Sequence, residues 1–445
     1  QGSKGAQSMS SQSKSNDPQS NIPAYGFETL AVHAGARPDP TTGARSTPIF
    51  QSNAFVFHDA EHAAELFNLQ TFGFIYSRLT NPTVSVLEER VCALENGRGA
   101  VACATGHAAQ FLLAATLLET GDEFIASKNL YGGSTQFGVS FAKLGWTCNF
   151  VDMTNADELR AAMNDKIKFI FCEVLANPGG VVLDLEELAA IAKEWGVPLV
   201  VDNTLASPYL CRPFDWGADI VVHSATKYIG GHGNTMGGVV AESGRFDWNQ
   251  NDKFPSMAKP DPAYHGLTFA ETFGDFGFSM KMRAVALRDY GPTLSAQSAW
   301  NLLQGVETLP LRMERHCANA QAVAEFLDSH PKVAWVSFAG LPSSPYHELA
   351  NKYLPKGAGA VFTFGVKGGF AAGETVVNAV EIFSHLANVG DTRSLIIHPA
   401  STTHRQLTPE QQEAAGAGAD VIRLSIGIET AEDIIADLDQ ALAKT

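Results

Sequence analysis

The chain is poor in the features that would place it quickly. Its 445 residues hold six cysteines, Cys92, Cys103, Cys148, Cys172, Cys211 and Cys317, scattered with no CxxC pair. Such spacing fits neither a zinc ribbon nor a disulfide scaffold, so the thiols read as reduced core residues. Positive charge is also scarce, with 31 Lys and Arg against 47 Asp and Glu for a net −16, and no basic patch stands out. That balance excludes nucleic acid and anionic lipid as partners, and any anionic ligand must be held by specific pocket groups. No apolar run approaches bilayer length; FLLAATLL from Phe111 is among the longest. The opening residues carry no charged-then-apolar signal pattern, so a cytoplasmic protein is expected.

Several catalytic signatures are missing too. There is no GxSxG elbow and no GxxxxGK[ST] loop, and HELAN from His347 breaks the HExxH zinc pattern at its last position. GHGNTMGG, residues 231–238, spells GxGxxxG and not the dinucleotide fingerprint, and it follows a lysine instead of joining a first strand to its helix. No metal site is expected, because no histidine has a partner at ligand spacing.

What is present is an ordinary globular composition, 45% hydrophobic and 18% charged, in a chain long enough for two domains. Residues 1–22 are rich in Ser, Gln and Asn and should be disordered; their opening QGS reads as a protease-cleavage remnant, with Met9 a candidate natural start. From Val84 onward helical and strand-like patterns alternate. The clearest unit runs from Lys166 to Lys227: KIKFIFCEV, the helix DLEELAAIAKEWG capped by Asp184 and ended by Gly196, then VPLVVDNT and ADIVVHSATK. Apolar strands joined by such helices predict a mostly parallel sheet covered on both faces. The segment FDWNQNDKFPSMAKPDPAYHG reads as a polar loop or insertion, and after Val333 further strands and helices suggest a smaller α/β domain. The expected layout is an extended segment over 23–83, a large domain over 84–290 and a C-terminal domain over 291–445.

In open parallel sheets ligands lie beyond the carboxyl ends of the strands. The residues there are Gly106 and His107, Asn177, Asp202 and Thr204, then Ser224, Thr226 and Lys227. A glycine turn opening a helix, with nearby hydroxyls, can hold a phosphate without a basic patch. A carboxylate after a buried strand can hold a protonated ring nitrogen. A lysine in low dielectric can lose its proton and form an imine. Alone, Asp202 reads as a turn or cap and Lys227 as a solvated strand end. Together they describe a site for pyridoxal 5′-phosphate.

The strings SATKYIGGH, VVDNT, IYSRLTNPT, TGHAA, LYGGS and IRLSIG closely resemble the Cys/Met-metabolism family of PLP-dependent enzymes, over nearly everything from Phe27 onward. The resemblance implies an aspartate aminotransferase-like (fold type I) α/β architecture. It implies that Lys227 forms the imine and moves protons, that Asp202 partners the ring nitrogen, and that Tyr131 stacks on the ring. Gly106, His107, Ser224 and Thr226 would cradle the phosphate, with Thr204 beside them. Tyr76 and Arg78 would reach a neighbouring subunit's phosphate in a homotetramer built from two dimers. Arg423 would clamp the substrate carboxylate, with Asn177 and Asn388 nearby, and Tyr76 and Tyr131 are candidate proton-transfer partners. PDPAYHG, LPLRMERH and ANVGDTRSLIIHPASTTH resemble the branch that replaces the acetyl group of O-acetylhomoserine with sulfide. Gly133 stands where methionine γ-lyases typically carry a reactive cysteine, and Asn388 where cystathionine enzymes usually have serine. A cystathionine γ-synthase or γ-lyase type of reaction is the alternative.

Overall fold

The computed structural model describes residues 25–176 and 180–445. The expectation for residues 1–22 lies outside that range, as does Asn177. A seven-stranded sheet is drawn from β1 (Gly99–Cys103), β2 (Glu123–Ser127), β3 (Thr147–Val151), β4 (Ile167–Glu173), β5 (Leu199–Asp202), β6 (Ile220–Ser224) and β7 (Gly238–Glu242). Their order is β1-β7-β6-β5-β4-β2-β3, and only β7 runs antiparallel to its neighbours. A second, smaller sheet of order β10-β11-β12-β9-β8 uses β8 (Val333–Ser337), β9 (Val361–Val366), β10 (Ser384–His385), β11 (Leu395–Ile397) and β12 (Val421–Ser425). This sheet is antiparallel apart from the short β10–β11 pair.

The apolar runs that predicted two-sided burial are the strands of the large sheet: Val200, Val201, Val221 and Val222 are fully buried. Capping residues behave as their chemistry dictates. Asp184 accepts the Glu187 amide at 3.4 Å to start the helix Leu185–Glu194, and Gly196 follows it at φ +62°. Thr105 accepts the Ala108 amide at 2.9 Å to start the helix Gly106–Leu117.

The segment from Phe246 to Gly266 departs from the polar loop expected. Trp248, Phe254 and Met257 are buried, and the Phe246 and Trp248 rings meet edge to face at 4.6 Å. Asp261, within this segment, forms an ion pair with Lys281. Its aromatic side chains, spaced too irregularly to signal a helix or strand, bury against the core through tertiary contact. Among the described residues no helix is long and apolar enough to cross a membrane.

Candidate active site

Consecutive strand ends deliver the functional groups. Asp202 closes β5, and one of its carboxylate oxygens accepts both the Thr204 amide at 3.0 Å and the Thr204 hydroxyl at 2.5 Å. The Thr204 hydroxyl in turn accepts the backbone amide of Ser224 at 2.9 Å, which ties the end of β6 to the end of β5. Burial pushes the Asp202 carboxyl above the usual carboxylate range, against the pull of the Thr204 bonds and of His223. A protonated ring nitrogen would give a buried carboxylate in that position a positive partner.

Gly106 opens its helix directly against β6. A Cβ at Gly106 would stand 2.7 Å from Ser224 Cβ, so only glycine lets the helix terminus approach this closely. The first amides of a helix have no intrahelical acceptor, and here they meet the Ser224 hydroxyl region, a combination suited to phosphate. Thr226 exchanges hydrogen bonds with Gly237, accepting its amide at 3.1 Å and donating to its carbonyl at 3.3 Å. His107 lies near Asp202, and burial lowers its pKa.

Lys227 follows within the turn after β6. Its Nζ donates to Asn388 Oδ1 at 2.6 Å, and burial first, then the charge of Arg423, pushes its pKa down from the usual lysine range. Both causes raise the fraction of neutral amine. Asn388 sits in the loop between β10 and β11. That loop presses onto the lysine, for a Cβ at Gly390 would fall 2.9 Å from the Tyr228 amide nitrogen. Arg423 lies on β12 opposite Ile397 and Thr363, and donates to the Asn388 carbonyl at 3.4 Å. The small sheet thus brings its arginine and asparagine to the lysine of the large one.

Tyr131 starts the helix Gly132–Ser140, half-exposed, with its ring 6.4 Å from that of His107. Its ring lies over Gly133, where a Cβ would overlap it. Tyr76 and Arg78 stand apart: the Arg78 guanidinium rests 5.1 Å from the Tyr76 ring centroid. Among the described residues, no hydrogen bond or ion pair links either side chain to the strand-end cluster.

Two supporting residues went unrecognised in the sequence. Glu173, buried at the end of β4, accepts the Tyr131 amide at 2.8 Å. Arg312, buried on the helix Leu309–Asp328, donates to the carbonyls of Tyr228 and Gly305 at 2.7 Å and of Ile229 at 3.3 Å, gathering the chain just after Lys227. The signal for each was a charge inside an apolar pattern, which buries only when its partners come from elsewhere.

The glycine-opened helix, the recessed carboxylate and the desolvated amine fit pyridoxal 5′-phosphate. The family model for Cys/Met metabolism PLP-dependent enzymes matches residues 28–443. The chain belongs to that family, and pyridoxal 5′-phosphate is its cofactor. It is 49% identical to an O-acetyl-L-homoserine sulfhydrylase of Leptospira meyeri, over 93% of this chain and 96% of the relative. It is also 49% identical to a homocysteine synthase of Schizosaccharomyces pombe, over 94% and 98%. A crystal structure of a candidate O-acetylhomoserine (thiol)-lyase from Campylobacter jejuni subsp. jejuni, containing N′-pyridoxyl-lysine-5′-monophosphate, is similar with a TM-score of 0.91 and 39% identity, covering 94% of this chain and all of that one.

Proposed function

We propose that the protein converts O-acetyl-L-homoserine and sulfide into L-homocysteine and acetate, a γ-replacement serving methionine biosynthesis, in the cytoplasm. The observation that carries this reading is the near full-length likeness to relatives named for that reaction. Gly133 agrees with it, because the Tyr131 ring takes the space where a side chain at 133 would stand.

The proposed roles of the residues are these. Asp202, held by Thr204, keeps the ring nitrogen protonated. Ser224, Thr226 and the helix opening at Gly106 and His107 bind the phosphate, and Tyr131 covers the ring. When bound, the cofactor supplies an electron sink for the charge left by proton removal next to the substrate amine. Arg423 takes the α-carboxylate with its planar fork of donors. Asn388 steers the Lys227 amine, whose lowered pKa favours the neutral form that takes the Cα proton and returns it later. Asn177 belongs to the same proposed set. A proton leaves Cβ, acetate departs from Cγ, and sulfide adds at Cγ with proton return; Tyr131 and Tyr76 are the proposed carriers of protons there.

Tyr76 and Arg78 complete the phosphate site of a second copy, so the working unit is a homo-oligomer, taken here as a tetramer of two dimers. The test is an assay of the purified holoenzyme on O-acetylhomoserine with sulfide, with cysteine, and with no acceptor. Homocysteine and acetate formed one for one, dependent on sulfide, is the expected result. Cystathionine from cysteine, or a 2-oxo acid with no acceptor, as the main product would replace this reading with the cystathionine-type or lyase-type alternative.

A further inference from the structure

Behind the proposed cofactor site lies a buried polar cluster with no role in the steps above. Glu95 ends the helix Pro82–Leu94 and is fully buried, as are His223 and Asn203 within 1%. One Glu95 oxygen pairs with His223 Nε2 and accepts the Asn203 side-chain amide at 2.9 Å; that amide also donates to the Cys211 carbonyl at 2.8 Å. Three atoms of the cluster, Glu95 Oε2, Asn203 Oδ1 and His223 Nδ1, have no hydrogen-bond partner among the described residues. Each such orphan costs on the order of 1–3 kcal/mol, so apolar residues would serve packing better.

The placement of the cluster suggests what offsets that cost. Asn203 follows Asp202 directly, and His223 precedes Ser224 directly. Side chains alternate across a strand, so His223 looks away from the face that Ser224 presents to Gly106. The Asn203 backbone amide donates to the Val222 carbonyl at 3.0 Å, locking the two strand ends side by side. A single carboxylate therefore grips, from the far side of the sheet, the two residues adjoining those assigned to the ring nitrogen and the phosphate.

We propose that Glu95 is a positioning residue which, through His223 and Asn203, fixes the spacing of Asp202 and Ser224 and sets the electrostatic environment of the Asp202 carboxylate. This rests on the assignment of Asp202 and Ser224 to the cofactor. His223 acts to lower the pKa of Asp202 against the effect of burial, in keeping with that role.

The test compares Glu95→Gln and His223→Gln with the parent, as purified holoenzymes matched for cofactor content. Both variants are expected to assemble to the parent's size. Their visible absorbance maximum and its circular dichroism should shift, and the cofactor should be released faster. Turnover of O-acetylhomoserine with sulfide should fall about tenfold to a hundredfold, the range seen when a partner behind a ligating group is removed, in kcat and not in KM. A folded variant with the parent's spectrum and kcat, however much thermal stability it loses, overturns the proposal. So does failure of both variants to fold, the mark of a purely architectural role. If Glu95→Gln alone fails to fold, His223→Gln decides by the same spectrum and kcat. A parent protein with no visible cofactor band sinks the functional reading instead, which keeps the two failures distinct.

Discussion

The strand-end site and the segment that carries Tyr76 and Arg78 are built in opposite ways. At the strand ends almost every group is fixed by the chain itself: Thr204 ties Asp202 to Ser224, Asn388 holds Lys227, and Glu173 anchors Tyr131. The segment before Asn81 is held mainly at its root, where Thr83 accepts the Phe50 amide at 2.9 Å and Asn81 donates to the Phe50 carbonyl at 2.8 Å. Beyond the root it exposes apolar side chains, with Val56 95%, Phe72 72% and Phe67 60% exposed. Large exposed apolar side chains are a feature of interaction surfaces. One region is held together by its own side chains; the other turns large apolar side chains to its surface.

Breaking the strand-end region should have the largest effect. Lys227→Ala is expected to remove the visible band of the bound cofactor and to lower turnover about 10³-fold or more, the scale of losing a positioned acid–base group. Absorbance and the sulfide-dependent assay check both, and survival of either would detach Lys227 from the chemistry.

The second experiment sharpens the contrast. Arg78→Ala should weaken cofactor binding about tenfold to a hundredfold, as expected for a lost charge-assisted hydrogen bond worth about 1.5–3 kcal/mol. Copies carrying Arg78→Ala, mixed and reassembled with copies carrying Lys227→Ala, should regain activity in about a quarter of the sites, since half of the pairs are mixed and each mixed pair has one intact site. Activity no higher than the sum of the separate variants would show that the segment serves its own chain.

The smallest effect concerns β7, the antiparallel strand of the large sheet. Glu242 on β7 is buried, accepts the Ser279 amide at 2.7 Å, and has its carboxyl pushed up to about 7 by burial. The folded chain therefore holds this proton more tightly than the unfolded chain does, so stability from this group falls as pH rises from about 4.5 to about 7. Glu242→Gln should accordingly raise the melting temperature relative to the parent by a few degrees more at pH 8 than at pH 5. An equal difference at both values in thermal scans would remove Glu242 from the pH dependence.

Much of the site was legible because its parts are local. VVDNT and VVHSATK each place functional groups one or two residues beyond an apolar strand, and the alternation of strand and helix already implies that such ends gather on one edge. Asp184 and Thr105 act as caps because a cap needs only a neighbour two or three residues away. Glu173, Arg312 and Glu95 were not legible for the converse reason. Their partners Tyr131, Tyr228 and His223 lie 42, 84 and 128 positions away in the chain. A buried charge with a distant partner looks, in sequence, like any charge on a surface. The aromatic residues between Phe246 and Gly266 misled in the same manner, because irregular spacing hides burial that no helix or strand period announces.

The sequence by itself determined the parallel character of the large sheet's core, the helix boundaries set by caps and glycines, and the residue types at the strand ends, all consequences of periodicity and short-range hydrogen bonding. Only the tertiary structure decided that Asn388, more than 150 residues beyond Lys227, meets it with Arg423 behind, and that burial and the Arg423 charge lower the lysine's pKa. The physical reason is that a pKa and a hydrogen bond depend on distance in space, and a chain fixes distance only between near neighbours until it has folded.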